Sequence, residues 1–195
     1  MMKFSGLLVA ALSLAGASSA SMVSAQARTF SIDRARTTFT SSAQLETING
    51  ISSTASGTFS VDPAALSSTS GTISVPVASI GTGIDERDEH LRSPQWLNAA
   101  AHANATFEIT SIRGASALTA NQDANLQVVG RFTINGQTHD VTARVRAKWD
   151  GSNGLRLRAR FTIELDDYGV SIPSVVQAKV SNEISIQIDI RASAR

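Results

Sequence analysis

Asp123-Ala124-Asn125-Leu126-Gln127-Val128-Val129-Gly130-Arg131-Phe132-Thr133-Ile134-Asn135-Gly136 decides the fold class, because one parity is apolar or small right up to a turn signal. Successive side chains of a strand point to opposite faces, so Ala124, Leu126, Val128, Gly130, Phe132 and Ile134 form one buried face. Asn135-Gly136 suits a type I′ turn, which needs two residues at positive φ. Beyond it Val141, Ala143, Val145, Ala147 and Trp149 share the facing parity, and residues 150–154 reverse the chain again. Leu155, Leu157, Ala159, Phe161, Ile163 and Leu165 then alternate with Arg156, Arg158, Arg160, Thr162 and Glu164. Ile184, Ile186, Ile188 and Ile190 repeat the pattern in the last strand.

Upstream, Thr29-Phe30-Ser31-Ile32-Asp33, then residues 38–45, 51–61 and 70–79, are Ser- and Thr-rich with apolar residues at alternate places. They read as strands with one wet face. Asn49-Gly50 predicts a hairpin, Asp62-Pro63 a turn, and Pro76 an edge or bulge. Residues 105–113 resume the strand pattern, and residues 114–121 form a small, polar, mobile connection. One stretch, 85–98, breaks the alternation. Asp85 is a candidate N-cap with Asp88 in the capping-box place, Pro94 ends the helix, and Ser93 is placed to cap a second short turn carrying Trp96 and Leu97.

About eight long strands with one apolar face can close into a barrel or stack as a sandwich. An antiparallel all-β barrel of lipocalin-like form, with one short helical insertion, is the preferred architecture, since closure also removes exposed sheet edges. An inverted, membrane-spanning barrel is the weaker rival: Trp 2 and Tyr 1 are few for two aromatic girdles. Small residues on the inner face, among them Ala55, Gly130, Ala143 and Ala147, leave room for an elongated apolar guest; a filled core is the alternative.

The chain has 195 residues, no cysteine and a formal net charge of +1. Disulfide and thiol chemistry are thereby excluded, and nucleic acid is a poor partner for so balanced a charge. Residues 1–27 read as a signal peptide: Lys3 precedes an apolar run over 6–17, and small residues allow cleavage after Ala25 or Ala27. Cleavage removes Lys3 and no acid, so sixteen cations then face sixteen carboxylates. A single domain over 28–195 follows. For catalysis the pattern is poor. His90, His102 and His139 have no metal-ligand spacing, and no nucleophile elbow or phosphate loop is present, so neither a catalytic residue nor a metal site is assigned.

Arg87-Asp88-Glu89-His90-Leu91-Arg92-Ser93 within 85–96 resembles the signature segment of the YceI-like polyisoprenoid-binding family. So do Ile32-Asp33, Gly57-Thr58-Phe59, Ile80-Gly81-Thr82-Gly83, Thr106-Phe107, residues 130–138 and Asp167-Tyr168-Gly169-Val170, taken in order. A His often follows the family's early Asp; this chain has Arg34-Ala35-Arg36. The resemblance implies an exported, periplasmic or secreted bacterial protein whose lipocalin-like barrel holds an isoprenoid lipid or quinone, with no other cofactor.

On that reading the candidate ligand contacts are Phe39, Phe59, Val75, Leu126, Val128, Phe132, Val145 and Phe161 on the walls. Trp96, Leu97, Leu91 and Phe107 are placed to roof the cavity, while Arg87, Asp88 and His90 either meet a polar head or pin the helix to the rim. Pairing Trp149 with Leu155 would set Lys148, Arg146 and Arg144 opposite Arg156, Arg158 and Arg160. Like charges directly opposite are destabilising, which makes this row a candidate for docking on an anionic membrane; counter-charge from Glu164, Glu183 and Asp189 is the bland alternative. Homodimerisation is left open.

Overall fold

The computed structural model describes residues 26–194, so all of the expected leader except Gln26 and Ala27 lies outside the described residues. Among the described residues nine strands are present: β1 (Arg28–Ser42), β2 (Thr47–Ser52), β3 (Ser56–Val61), β4 (Ser70–Pro76), β5 (Asn104–Arg113), β6 (Asp123–Ile134), β7 (Gln137–Trp149), β8 (Gly154–Glu164) and β9 (Glu183–Ala194). One α-helix among the described residues, α1 (Asp85–Arg92), lies between β4 and β5. Every ladder is antiparallel, and β1 pairs with β9 to close the ring β1-β3-β4-β5-β6-β7-β8-β9. The eight-stranded barrel is therefore closed, and neither a two-sheet sandwich nor an open sheet describes it.

Alternation sets which face is inside. Ala143, Val145 and Ala147 are buried while Arg144, Arg146 and Lys148, which alternate with them, are exposed. The apolar set faces inward, which is the reverse of a lipid-facing barrel wall. In β1 a bulge between Ile32 and Arg34 switches the inward parity from Phe30 to Ala35, and leaves both Asp33 and Arg34 outside.

Asn135 and Gly136 have φ of 51° and 75°, the double positive φ that a I′ turn requires. The predicted β7–β8 register is also present, Trp149 pairing with Leu155 and Arg146 with Arg158. Other expectations are corrected. Asn49-Gly50 is not a turn but lies within β2, where Asn49 pairs with Thr40 and Gly50 with Phe39; the reversal falls earlier, closed by the Ala43 N–H donating to the Glu46 carbonyl at 2.9 Å. Gly50 serves as clearance: a Cβ there would sit 2.0 Å from Cε1 of Phe39.

The strand expected over 51–61 is broken. β2 and β3 both pair with the same edge of β1, with residues 53–55 between them, and Ile51 forms a separate bridge to Gly81. At α1 the N-cap is Ile84, in extended conformation, rather than Asp85, and no side chain caps the helix. The expected short turn after Ser93 is present: Ser93 closes α1, and its carbonyl accepts from Trp96 and Asn98 N–H at 3.0 and 2.9 Å. The connection over 114–121 is anchored: Leu118 is buried and its N–H donates to the Pro63 carbonyl at 2.7 Å.

Candidate functional site

Inside the ring lies a cavity of about 600 Å³, in the size range of small-molecule sites. Its wall is almost entirely aliphatic and aromatic because each strand contributes its inward parity: Leu126 and Val128 from β6, Ala143, Val145 and Ala147 from β7, and Ile184 to Ile190 at alternate places from β9. Phe161 stands 5.8 Å from Phe107 and 5.2 Å from Phe132 between ring centroids, so three aromatics crowd the half nearer α1. The other end is shut by Leu66, Leu118 and Leu155, all buried. At the α1 end the lining residues Ile84 and Val175 are 52% and 88% exposed, which marks the mouth.

Helix α1 is held across that mouth by polar ties. Asp88, 8% exposed, accepts at one oxygen from the Thr82 N–H at 2.7 Å and the Thr82 hydroxyl at 2.5 Å. Arg87 pairs with Glu46 of the β1–β2 turn at 2.8 Å and donates to the Thr82 hydroxyl and carbonyl at 2.9 and 3.3 Å. Arg92 donates to the Ile80 carbonyl at 3.2 Å. Ile80, Thr82 and Glu46 thus receive the helix, and the charges of Arg87, Asp88 and Arg92 are engaged in fixing it.

Fourteen of the candidate contacts line the cavity: Phe39, Phe59, Val75, Arg87, His90, Leu91, Trp96, Leu97, Phe107, Leu126, Val128, Phe132, Val145 and Phe161. Asp88 does not; its carboxylate is turned to Thr82 and away from the interior. The segment between β8 and β9 was not anticipated, yet Pro173, Val175, Val176, Lys179 and Val180 form part of the mouth. The Leu45 N–H donates to its Ala178 carbonyl and the Ser181 N–H to Ser41 Oγ, at 2.9 and 2.8 Å. The signal was present as Val170, Ile172, Val175 and Val176, apolar residues without strand alternation. Two of the lining residues, Thr37 and Thr69, have hydroxyl oxygens that are themselves buried without a hydrogen-bond partner.

A UPF0312 protein of Ectopseudomonas mendocina (strain ymp) is 31% identical over 120 residues, 59% of this chain and 60% of that protein. A UPF0312 protein of Pseudomonas fluorescens (strain SBW25) is 30% identical over 136 residues, 67% of this chain and 68% of its own length. The chain therefore spans about 60% of the former relative's length. Among solved structures, a polyisoprenoid binding domain from Saccharophagus degradans superposes with a TM-score of 0.69 at 15% identity, covering 85% of this chain and 98% of that one. At that identity it shows a shared fold. A YceI-like domain matches residues 29–192, from the second residue of β1 to the end of β9 bar two, and the chain belongs to that family.

Proposed function

We propose that this chain is an exported bacterial carrier or store that encloses a long-chain isoprenoid, or a similar amphipathic lipid such as a quinone, and is not an enzyme. The observation that carries this reading is the apolar cavity of about 600 Å³, shut at one end and open past α1 at the other. The solved relative described as a polyisoprenoid binding domain supports the ligand class. Affinity would come from burial, at roughly 25 cal/mol per Å² of apolar surface, or about 0.8 kcal/mol per methylene. Each added methylene then tightens binding about four-fold until the cavity is full. Fit within the closed end, rather than the head group, sets the preferred chain length.

Native mass spectrometry of the protein purified from a bacterial host, followed by organic extraction, tests this. The expected result is one bound lipid per chain and, from the same mass, a start after Ala25 or Ala27. Failure to find a lipid, together with failure to load isoprenoids of graded length, would overturn the carrier reading in favour of a non-catalytic interaction module.

A further inference from the structure

The outer wall opposite the cavity lining carries a charge arrangement that the barrel itself does not need. Lys148 of β7 pairs with Arg156 of β8, Arg156 with Arg191 of β9, and Arg191 with Arg34 of β1. All four are exposed, so four cations stand side by side across four neighbouring strands, each about 5 Å from the next at the backbone. The next row holds Arg146, Arg158 and Arg36, interrupted by Asp189, and the third holds Arg144 and Arg160. Among the described residues the ion pairs on this wall are Arg146–Asp123 and Arg158–Asp189.

Those two carboxylates are already committed. Asp123 is held below its usual range first by the hydrogen bond from Arg146. At Asp189 burial pushes upward, but the hydrogen bonds from Arg158 and Gln187 and the charge of Arg36 prevail and lower it. Asp150, in the adjoining turn, accepts from the Ser152 and Gly154 N–H groups at 2.7 and 2.9 Å, and Asp33 accepts from the Ser193 hydroxyl at 2.9 Å. Asp123 of β6 stands opposite Lys148 and Asp150 feels the charge of Arg156, but among the described residues no cation of the first row forms an ion pair. Like charges directly opposite are destabilising, so this row costs stability in the isolated molecule.

The opposite end has the opposite sign. Asp85, Glu86 and Glu89 on α1, Asp166 and Asp167 after β8, and Glu183 at the start of β9 are exposed around the mouth. Arg87, Arg92 and Lys179 are the cations there, and the first is paired with Glu46. The barrel is electrically polarised along its axis although the whole chain carries only +1.

We propose that the wall of β7, β8, β9 and β1 docks the protein on anionic phospholipid bilayers, with the acidic mouth directed away from the membrane. Guanidinium groups match phosphate through paired N–H donors, and all but one of these cations are arginines. The large apolar residues exposed among those described are Leu45, Ile51, Ile84 and Val175, none of them on this wall. A protein partner would want an apolar anchor at its centre. A sheet of headgroup phosphates does not, and attracts basic residues by charge alone. The polarity then turns the mouth outward, because the same surface repels the acidic end. Docking stands independently of what the cavity holds.

Partition of the full chain onto phosphatidylglycerol-containing vesicles, against pure phosphatidylcholine, tests the surface. Binding is expected only to the anionic vesicles, falling as salt screens it. Arg156→Gln/Arg191→Gln, which orphans no carboxylate, should lower partitioning about 25-fold, five-fold per cation. The two tryptophans report orientation, Trp149 half-buried on the inward parity at the basic end and Trp96 at the mouth. With quencher-bearing lipids, Trp149 in a Trp96→Phe chain should be quenched and Trp96 in a Trp149→Phe chain should not. Equal binding to both vesicle types, an unaffected double variant, or quenching of Trp96 in place of Trp149 would each overturn the proposal. So would a chain that ignores the vesicles but binds single-stranded DNA or polyglutamate. If either tryptophan variant fails to fold, the wild-type and double-variant comparison still decides.

Discussion

Asp88 takes two hydrogen bonds from Thr82 at a position nearly closed to solvent. Removing the carboxylate strands a backbone N–H and a hydroxyl beneath α1. Asp88→Ala should therefore lose about 1–3 kcal/mol, measured by urea unfolding, and speed amide exchange through α1. An undisturbed α1 in that variant would mean that Arg87 and Arg92 hold the helix alone. Tyr168 is a different case, the chain's single tyrosine, fully buried with its ring 5.6 Å from Phe132 and 5.0 Å from His139. Burial, then the charge of Asp167, push its phenol up to about 12. In the unfolded chain it ionises near its ordinary value of about 10. Between those values the folded state keeps a proton the unfolded chain has released, so stability is complete below about pH 10 and declines until about 12. Tyr168→Phe should flatten that decline in denaturant titrations, and an unchanged slope would assign it elsewhere.

At the scale of elements, Gly50 of β2 and Phe39 of β1 show one strand making room for another's side chain. The ring lies where a Cβ would be, so Gly50→Ala must drive Phe39 from its seat, and the open space is the cavity. The variant should lose about 1–3 kcal/mol and bind an apolar fluorescent probe more weakly. Full probe binding would show that the ring escapes elsewhere. This pair also explains a misread element. Asn-Gly is a strong hairpin signal, but here the glycine answers to packing across the ladder and takes no positive φ, which sequence pattern alone does not distinguish. Long strands were easier: β6, β7, β8 and β9 carry their parity without interruption, and even the register that stacks Arg146 on Arg158 follows from the turn length.

For the molecule as a whole, the wall residues of the cavity were legible because an inward parity is a property of each strand separately. What lay beyond reach depended on elements far apart in the chain. The mouth needs the 80–82 segment, Glu46 and the stretch after β8 to meet, and none of those meetings has a local signature. The bulge at Asp33 was hidden for a related reason: it leaves the alternation intact on either side and only shifts its phase.

The seam between β1 and β9 carries its own lesson about time. It joins Phe30 to Ala194, so the first strand made waits for the last before either edge is covered. Until then β1 and β8 each present a row of unpaired backbone groups, with the apolar face of an open sheet beside them. Such a contact, spanning nearly the whole chain, forms slowly because the loop it closes is long. The interval before that seam shuts is when the molecule is most exposed to pairing with its neighbours, and a chain that stalls before β9 stays in that condition.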